Sequence, residues 1–297
     1  MRSARVLASL FAIAFSLTLQ GCVSARLAQF SGFSQAGVAY VKASGTFIDE
    51  AGSAAVRGDN AILLKNRAPL TESERRKFIL ESNKNLKQRL LLLQQLKRHG
   101  QLLQDYFEIM GIMADPKAPD SLGDSAKGAY DALAMLSPAL KDAKIGSSTV
   151  SDFIPAVIPI VVASLKAKTL EKELRARGPL IERELALQEA MLTVLAQEIK
   201  TDLTIELNTQ EIQQVINPYV AAGDVPGDWG ATREEFLSAT VASQSAGAAA
   251  QAAHELRSSF QRLATNQFDS AALAALIGDI NTIIDLTAKI KGVSAAN

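Results

Sequence analysis

Residues 71–113, TESERRKFILESNKNLKQRLLLLQQLKRHGQLLQDYFEIMGIM, decide how the rest of the chain is read. Pro69 breaks the chain just before them. Thr71 and Glu74 have the spacing of a capping box, in which each side chain accepts from the other residue's backbone N–H. From there Ile79, Leu86, Leu93 and Phe107 share one heptad position, and Leu96, Leu103 and Met110 share the other; Gly100 fills the gap in the first series. An apolar seam of that period belongs to a helix packed lengthwise on another helix. About 40 residues at about 1.5 Å each span about 60 Å. The expectation is therefore all-α: an elongated bundle of long antiparallel helices.

Upstream, a first helix is expected from about Ser24 to Arg67. Val41, Ile48, Ala55 and Ile62 recur every seven residues, with Tyr40, Phe47, Ala54 and Ala61 beside them. Gly37, Gly45, Gly52 and Gly58 each cost roughly 0.5–1 kcal/mol in a helix relative to Ala. Either a neighbouring helix approaches closely there, or the segment is a frayed tether. Downstream, residues 114–128 read as a loop from their Pro, Asp and Gly content, a shorter helix reaches about Lys144, and residues 146–149 form a break.

Residues 153–165, FIPAVIPIVVASL, carry no charge. They are too few to cross a bilayer as one helix. Being apolar on every side, they predict a central core helix continuing to about Arg177, where Gly178-Pro179 ends or kinks it. The next helix reaches about Ala221, with Ile181, Leu185, Gln188, Leu192, Leu195 and Ile199 on one face. Residues 223–230 form a turn holding the only tryptophan, Trp229. Thr232 to Glu235 read as a second capping box, opening a helix to about Thr265, and a last helix covers about Asp269 to Lys291.

Catalytic patterns are few. A di-iron bundle needs Glu-x-x-His on two helices, but Leu96 and Gln251 stand three residues before His99 and His254. His254-Glu255 is not followed by a second His at zinc-protease spacing, and no G-x-S-x-G, phosphate-binding or dinucleotide-binding glycine motif occurs. Both histidines are expected as exposed or capping groups. Glu182 and Glu184, two apart, do not face each other on a helix. Asp115, Asp120 and Asp124 lack the spacing of a calcium loop. No catalytic residue, metal or cofactor is expected, and the chain is not read as an enzyme.

The charge pattern says more. The chain balances 31 basic against 31 acidic residues, which argues against a nucleic-acid partner. Locally the balance fails: Lys65 to Arg98 hold ten cations and three acids, while Glu182 to Glu211 hold seven acids and two cations. The simpler reading sets the two helices side by side, each compensating the other's field. The other gives a basic face that meets anionic lipid or an acidic partner. Arg75, Arg76, Lys84 and Lys87, with Trp229, are the candidate contact residues. A separate alternative makes residues 153–165 a concealed membrane-inserting segment, which would be similar to the apolar element of α-helical pore-forming toxins.

The N-terminus supplies an address. Arg2 and Arg5 precede an apolar run from Val6 to Leu19, the layout of a secretory signal peptide. Leu19-Gln20-Gly21-Cys22 then resembles the lipobox of bacterial lipoprotein precursors, and Cys22 is the only cysteine. The resemblance implies acylation of Cys22, removal of residues 1–21, a lipidated tether over 22–31 and a single helical-bundle domain over 32–297. Val23 and Ser24 follow, with no Asp at the second mature position, which in that family implies the outer membrane, on its periplasmic face. The covalent lipid is then the only prosthetic group, and no disulfide forms. The expected function is structural or interactive. The partners are the bilayer, through the acyl anchor, and an envelope protein, with a homo-oligomer also compatible.

Overall fold

The computed structural model describes residues 22–295 apart from 147, 158, 159, 164 and 166. Residues 1–21, read as the signal peptide, lie outside the described residues, as does Pro159. The architecture is an all-α bundle built on three long helices, α1 (Cys22–Lys65), α2 (Glu72–Met113) and α4 (Lys168–Gln210). Around them pack α3 (Leu122–Lys141), α6 (Trp229–Ser243), α7 (Ala248–Ala264) and α8 (Ser270–Ala295). A one-turn α5 (Asn217–Val220) follows a π-helical stretch at Glu211–Ile216, and a two-residue β-hairpin, β1 (Lys144–Ile145) with β2 (Ser148–Thr149), follows α3.

The capping box opens α2 as expected. The Thr71 N–H donates to Glu74 Oε2 at 2.8 Å, and the Glu74 N–H donates to Thr71 Oγ1 at 3.4 Å. α1 and α2 then zip antiparallel: Ser34 Oγ donates to Phe107 O, Lys97 pairs with Asp49 at 2.6 Å, and Ser82 bonds Asp59. The apolar seam of α1 is buried from Tyr40 to Ala61, whereas that of α2 is buried only from Leu93 onward. Ile79 is exposed and Leu86 half-buried, so the first half of α2 lies on the outside of the bundle. At the Cys22 end the core closes on Phe33, which meets Phe107 and Phe268 edge-on at 5.6 and 6.1 Å and Phe260 at 6.0 Å. Residues 22–31, read as a tether, are the first turns of α1, with Leu27 and Phe30 in the core.

Residues 153–165 correct the reading made from their apolarity. They form no central helix. Val150–Phe153 is a 3-10 turn, and the described residues from Ile154 to Ala167 are an irregular strap. Pro155 excludes the α region for the residue before it, and Ile154 is accordingly extended at φ −68°, ψ 116°. A run of β-branched residues adds little helix propensity to resist that break. The strap is fastened through its backbone: the Ala163 N–H donates to Ala264 O at 3.1 Å, and Arg257 Nη2 donates to Ala156 O at 2.6 Å. Val162 and Leu165 are buried, while Val161 is 78% exposed.

Three smaller expectations also change. α4 runs unbroken through Gly178-Pro179, because Leu170, Leu174, Ile181 and Leu185 bury into one core on both sides of the proline. The segment read as a loop over 114–128 is helical from Leu122. Thr232 lies inside α6 with its hydroxyl on Asp228 O, so it caps nothing; α6 already begins at Trp229.

The glycines of α1 divide by what surrounds them. A Cβ on Gly37 would lie 2.7 Å from Cδ2 of the buried Phe107 ring, whereas on Gly45 the nearest atom, Lys97 Cε, would be 3.9 Å away. Gly37→Ala should therefore cost about 1–3 kcal/mol through overpacking, and Gly45→Ala should gain about 0.5–1 kcal/mol through helix propensity. Urea midpoints measure both; a Gly37→Ala protein as stable as Gly45→Ala would refute close packing at that level.

Candidate interaction surface

The interior of the bundle takes in five acids of α4 and the cation Arg257. The middle of α4 is buried on nearly every side, and the helix carries five buried acids along its length. Each acid meets a donor or cation:

Glu173 accepts from Tyr106 Oη at 3.0 Å and pairs with Arg177; Glu182 pairs with Arg257 at 2.8 Å and accepts from Gln261 at 2.8 Å. Asp202 is held by Arg89, with Nη1 at 3.1 Å, and Glu206 by Arg57 at 2.9 Å. Burial pushes the Asp202 carboxyl above the usual aspartate range despite Arg89, and burial together with the Glu173 charge raises the Tyr106 hydroxyl. The side-by-side reading of basic and acidic helices thus holds for Arg89, but most partners of the acids come from other helices.

His99 departs from expectation. It is fully buried, with Nε2 3.0 Å from Glu184 Oε2 and Nδ1 2.9 Å from Gln188 Oε1; Ser137 Oγ also donates to Glu184. One apolar seam of α4 thus carries a polar pair one turn apart, Glu184 and Gln188, and the facing seam of α2 supplies the imidazole. Gln188 within an apolar stripe was the one sequence signal for this network. His254 is exposed and lies 2.9 Å from Glu189. Glu182 and Glu184 face different helices, α7 and α2, as their spacing requires. Among the described residues no group of three or more His, Cys, Asp or Glu is arranged to hold a metal ion.

The first half of α2 carries a dense group of exposed cations. Arg75, Arg76, Lys84 and Lys87 are all exposed, on the part of the helix whose seam is not covered. Beside them, between the end of α1 and the start of α2, a groove of about 650 Å³ is lined by Leu63, Leu64, Leu70, Phe78 and Ile79, with Arg67, Arg75 and Arg76 around it. Trp229 belongs to another place. It opens α6, its Nε1 donates to Val215 O at 3.0 Å, its ring stacks on Tyr219 at 5.4 Å, and the Arg233 guanidinium lies 6.0 Å from its centre. Its position closes the α4–α6 corner, leaving it half-buried. Cys22 is the first residue of α1, at the opposite end of the α1–α2 hairpin from the groove.

Comparison of the chain with family models, curated proteins and solved structures finds no match.

Arg257 joins two features, since it neutralises Glu182 and holds the strap at Ala156. Arg257→Leu leaves a buried carboxylate and an unbonded carbonyl, and should cost about 3–5 kcal/mol in urea unfolding. Limited proteolysis should cut the strap faster. Adding Glu182→Leu should restore part of the loss; a single variant as stable and as resistant as the parent would refute the clamp.

Proposed function

We propose that this chain is a lipoprotein of the bacterial envelope, anchored through an acylated Cys22 at the periplasmic face of the outer membrane. Its role is structural or interactive rather than catalytic. The observation that carries the reading is the sequence Leu19-Gln20-Gly21-Cys22 placed after an apolar run and directly before a helix of the bundle. Only four residues separate Cys22 from Leu27, which is buried in the core. A lipid on Cys22 therefore couples the folded body closely to the bilayer, and more than one acyl chain makes such an anchor stable.

Support for a non-catalytic role comes from the buried acids. Glu173, Glu182, Glu184, Asp202 and Glu206 each have a structural partner, and His99 is closed off from solvent. What the body offers outward is the basic half of α2 and the half-buried Trp229 corner. Two further observations bear on the membrane-inserting alternative. The apolar strap of 153–165 is irregular where described and already partly exposed, so it does not have the form of a concealed apolar helix.

Metabolic labelling with palmitate and fractionation of cell envelopes test the anchor. The native protein should carry label and sediment with outer membranes. Cys22→Ser should carry none and appear in the soluble periplasm; an exported Cys22→Ser protein that stays as membrane-bound as the parent would remove the lipoprotein reading.

A further inference from the structure

At about 100° per residue, Arg76, Leu80, Lys84, Lys87, Leu91 and Arg98 fall within about 80° of the circumference of α2, along about 33 Å of its length. All six are exposed, and the two leucines lie 62% and 60% open. Glu81, the one acid between Arg75 and Arg98, projects about 60° outside that arc. Beyond Arg98 the face ends where Asp105 returns a carboxylate. The stripe is thus a run of cations with leucines set among them and no acid between.

We propose that this face of α2 binds the surface of an anionic bilayer, with Arg76, Lys84, Lys87 and Arg98 on lipid phosphates and Leu80 and Leu91 in the acyl boundary. The proposal deepens the reading above by naming the partner of the α2 face. It rests on that reading only for placing the chain beside a membrane.

Three considerations select the occupant. A polyanion or an acidic protein surface would satisfy the cations and leave the leucines against charge; the headgroup region of a bilayer takes both, which is the pattern of interfacial helices. The strip is about 33 by 10 Å, well short of the roughly 800 Å² per partner that a stable protein interface needs, whereas binding to a lipid surface accumulates contact by contact. The acidic stretch of α4 does not supply a second copy with a matching face, because it is turned inward with Glu182, Glu184, Asp202 and Glu206 buried and paired. The groove at the α1–α2 turn adds further apolar surface, with Leu64 66% exposed beside Arg67 and Arg75, and Glu72 is the one acid in its lining.

The test uses residues 22–297 with Cys22→Ser, so that no acyl chain contributes and the outcome is independent of the anchor. The chain is sedimented with vesicles of phosphatidylcholine, and with vesicles in which about a third of the lipid is phosphatidylglycerol. It should bind the anionic vesicles and not the neutral ones. Lys84→Ala with Lys87→Ala should weaken that binding roughly 30-fold, at about fivefold per cation. Leu80→Ser with Leu91→Ser should weaken it at least tenfold while leaving the helical circular dichroism unchanged, as exposed substitutions should. Failure to bind anionic vesicles overturns the proposal. So does a serine variant that binds as tightly as the parent, which would mark a simple polyanion site. A dimer in sedimentation equilibrium that dissociates with the same leucine variant would assign the face to a second copy instead.

Discussion

The bundle is organised by the burial of acids on its central helix. A carboxylate removed from water costs several kcal/mol unless a partner meets it, and α4 buries five. Their partners are distributed over the surrounding elements: Arg57 on α1, Arg89, His99 and Tyr106 on α2, Ser137 on α3, and Arg257 on α7, with Arg177 on α4 itself. Long helices with heptad seams slide easily in principle, because a shift of one repeat keeps apolar against apolar. Here any such shift would strand charges at several heights together. The ion pairs contribute less to net stability than to the selection of one register.

The same requirement explains which part of the chain became central. Uncharged residues 153–165 are more apolar than any stretch of α4, yet those of them that are described from Ile154 onward lie as a strap on the bundle. Hydrophobicity measures the gain on burial, and it does not supply the backbone with partners. Pro155 and the β-branched run around it forfeit helical hydrogen bonds, whereas α4 stays helical through Pro179 at the loss of the one bond that its missing N–H would make, and makes its acids bearable by pairing them. Where the strap lacks internal bonds, Arg257 and Ala264 provide external ones.

Legibility in the sequence followed the range of the interaction involved. Local signals were sufficient for α2, whose capping box and Leu93–Met110 seam occur where the letters place them, and for the stripe from Ile181 to Ile199. They left Gly37 open between close approach and a frayed tether, and the structure decides it, because a Cβ there would meet Phe107. Interactions over long separations were not legible. Nothing adjacent to His99 announces Glu184, and nothing near Arg257 announces Ala156. The exposed stripe on α2 was visible only as an excess of charge. That its leucines stay outside required knowing that the first half of α2 lies on the outside of the bundle, because Ile79 and Leu86 continue the same heptad that Leu93 buries.

The Trp229–Tyr219 stack gives the molecule an optical asymmetry. The single indole sits at the α4–α6 corner, beside a π-helical stretch and a one-turn helix, where no residue from Glu211 to Gly223 is buried. Tyr40 and Tyr106 sit fully enclosed in the middle of the bundle. Tryptophan emission therefore watches a weakly packed corner, while far-ultraviolet circular dichroism averages over every helix. In a cooperative unfolding the two signals would coincide; a separation between them would measure how far that corner opens on its own, as a local unit of lower stability than the body it caps.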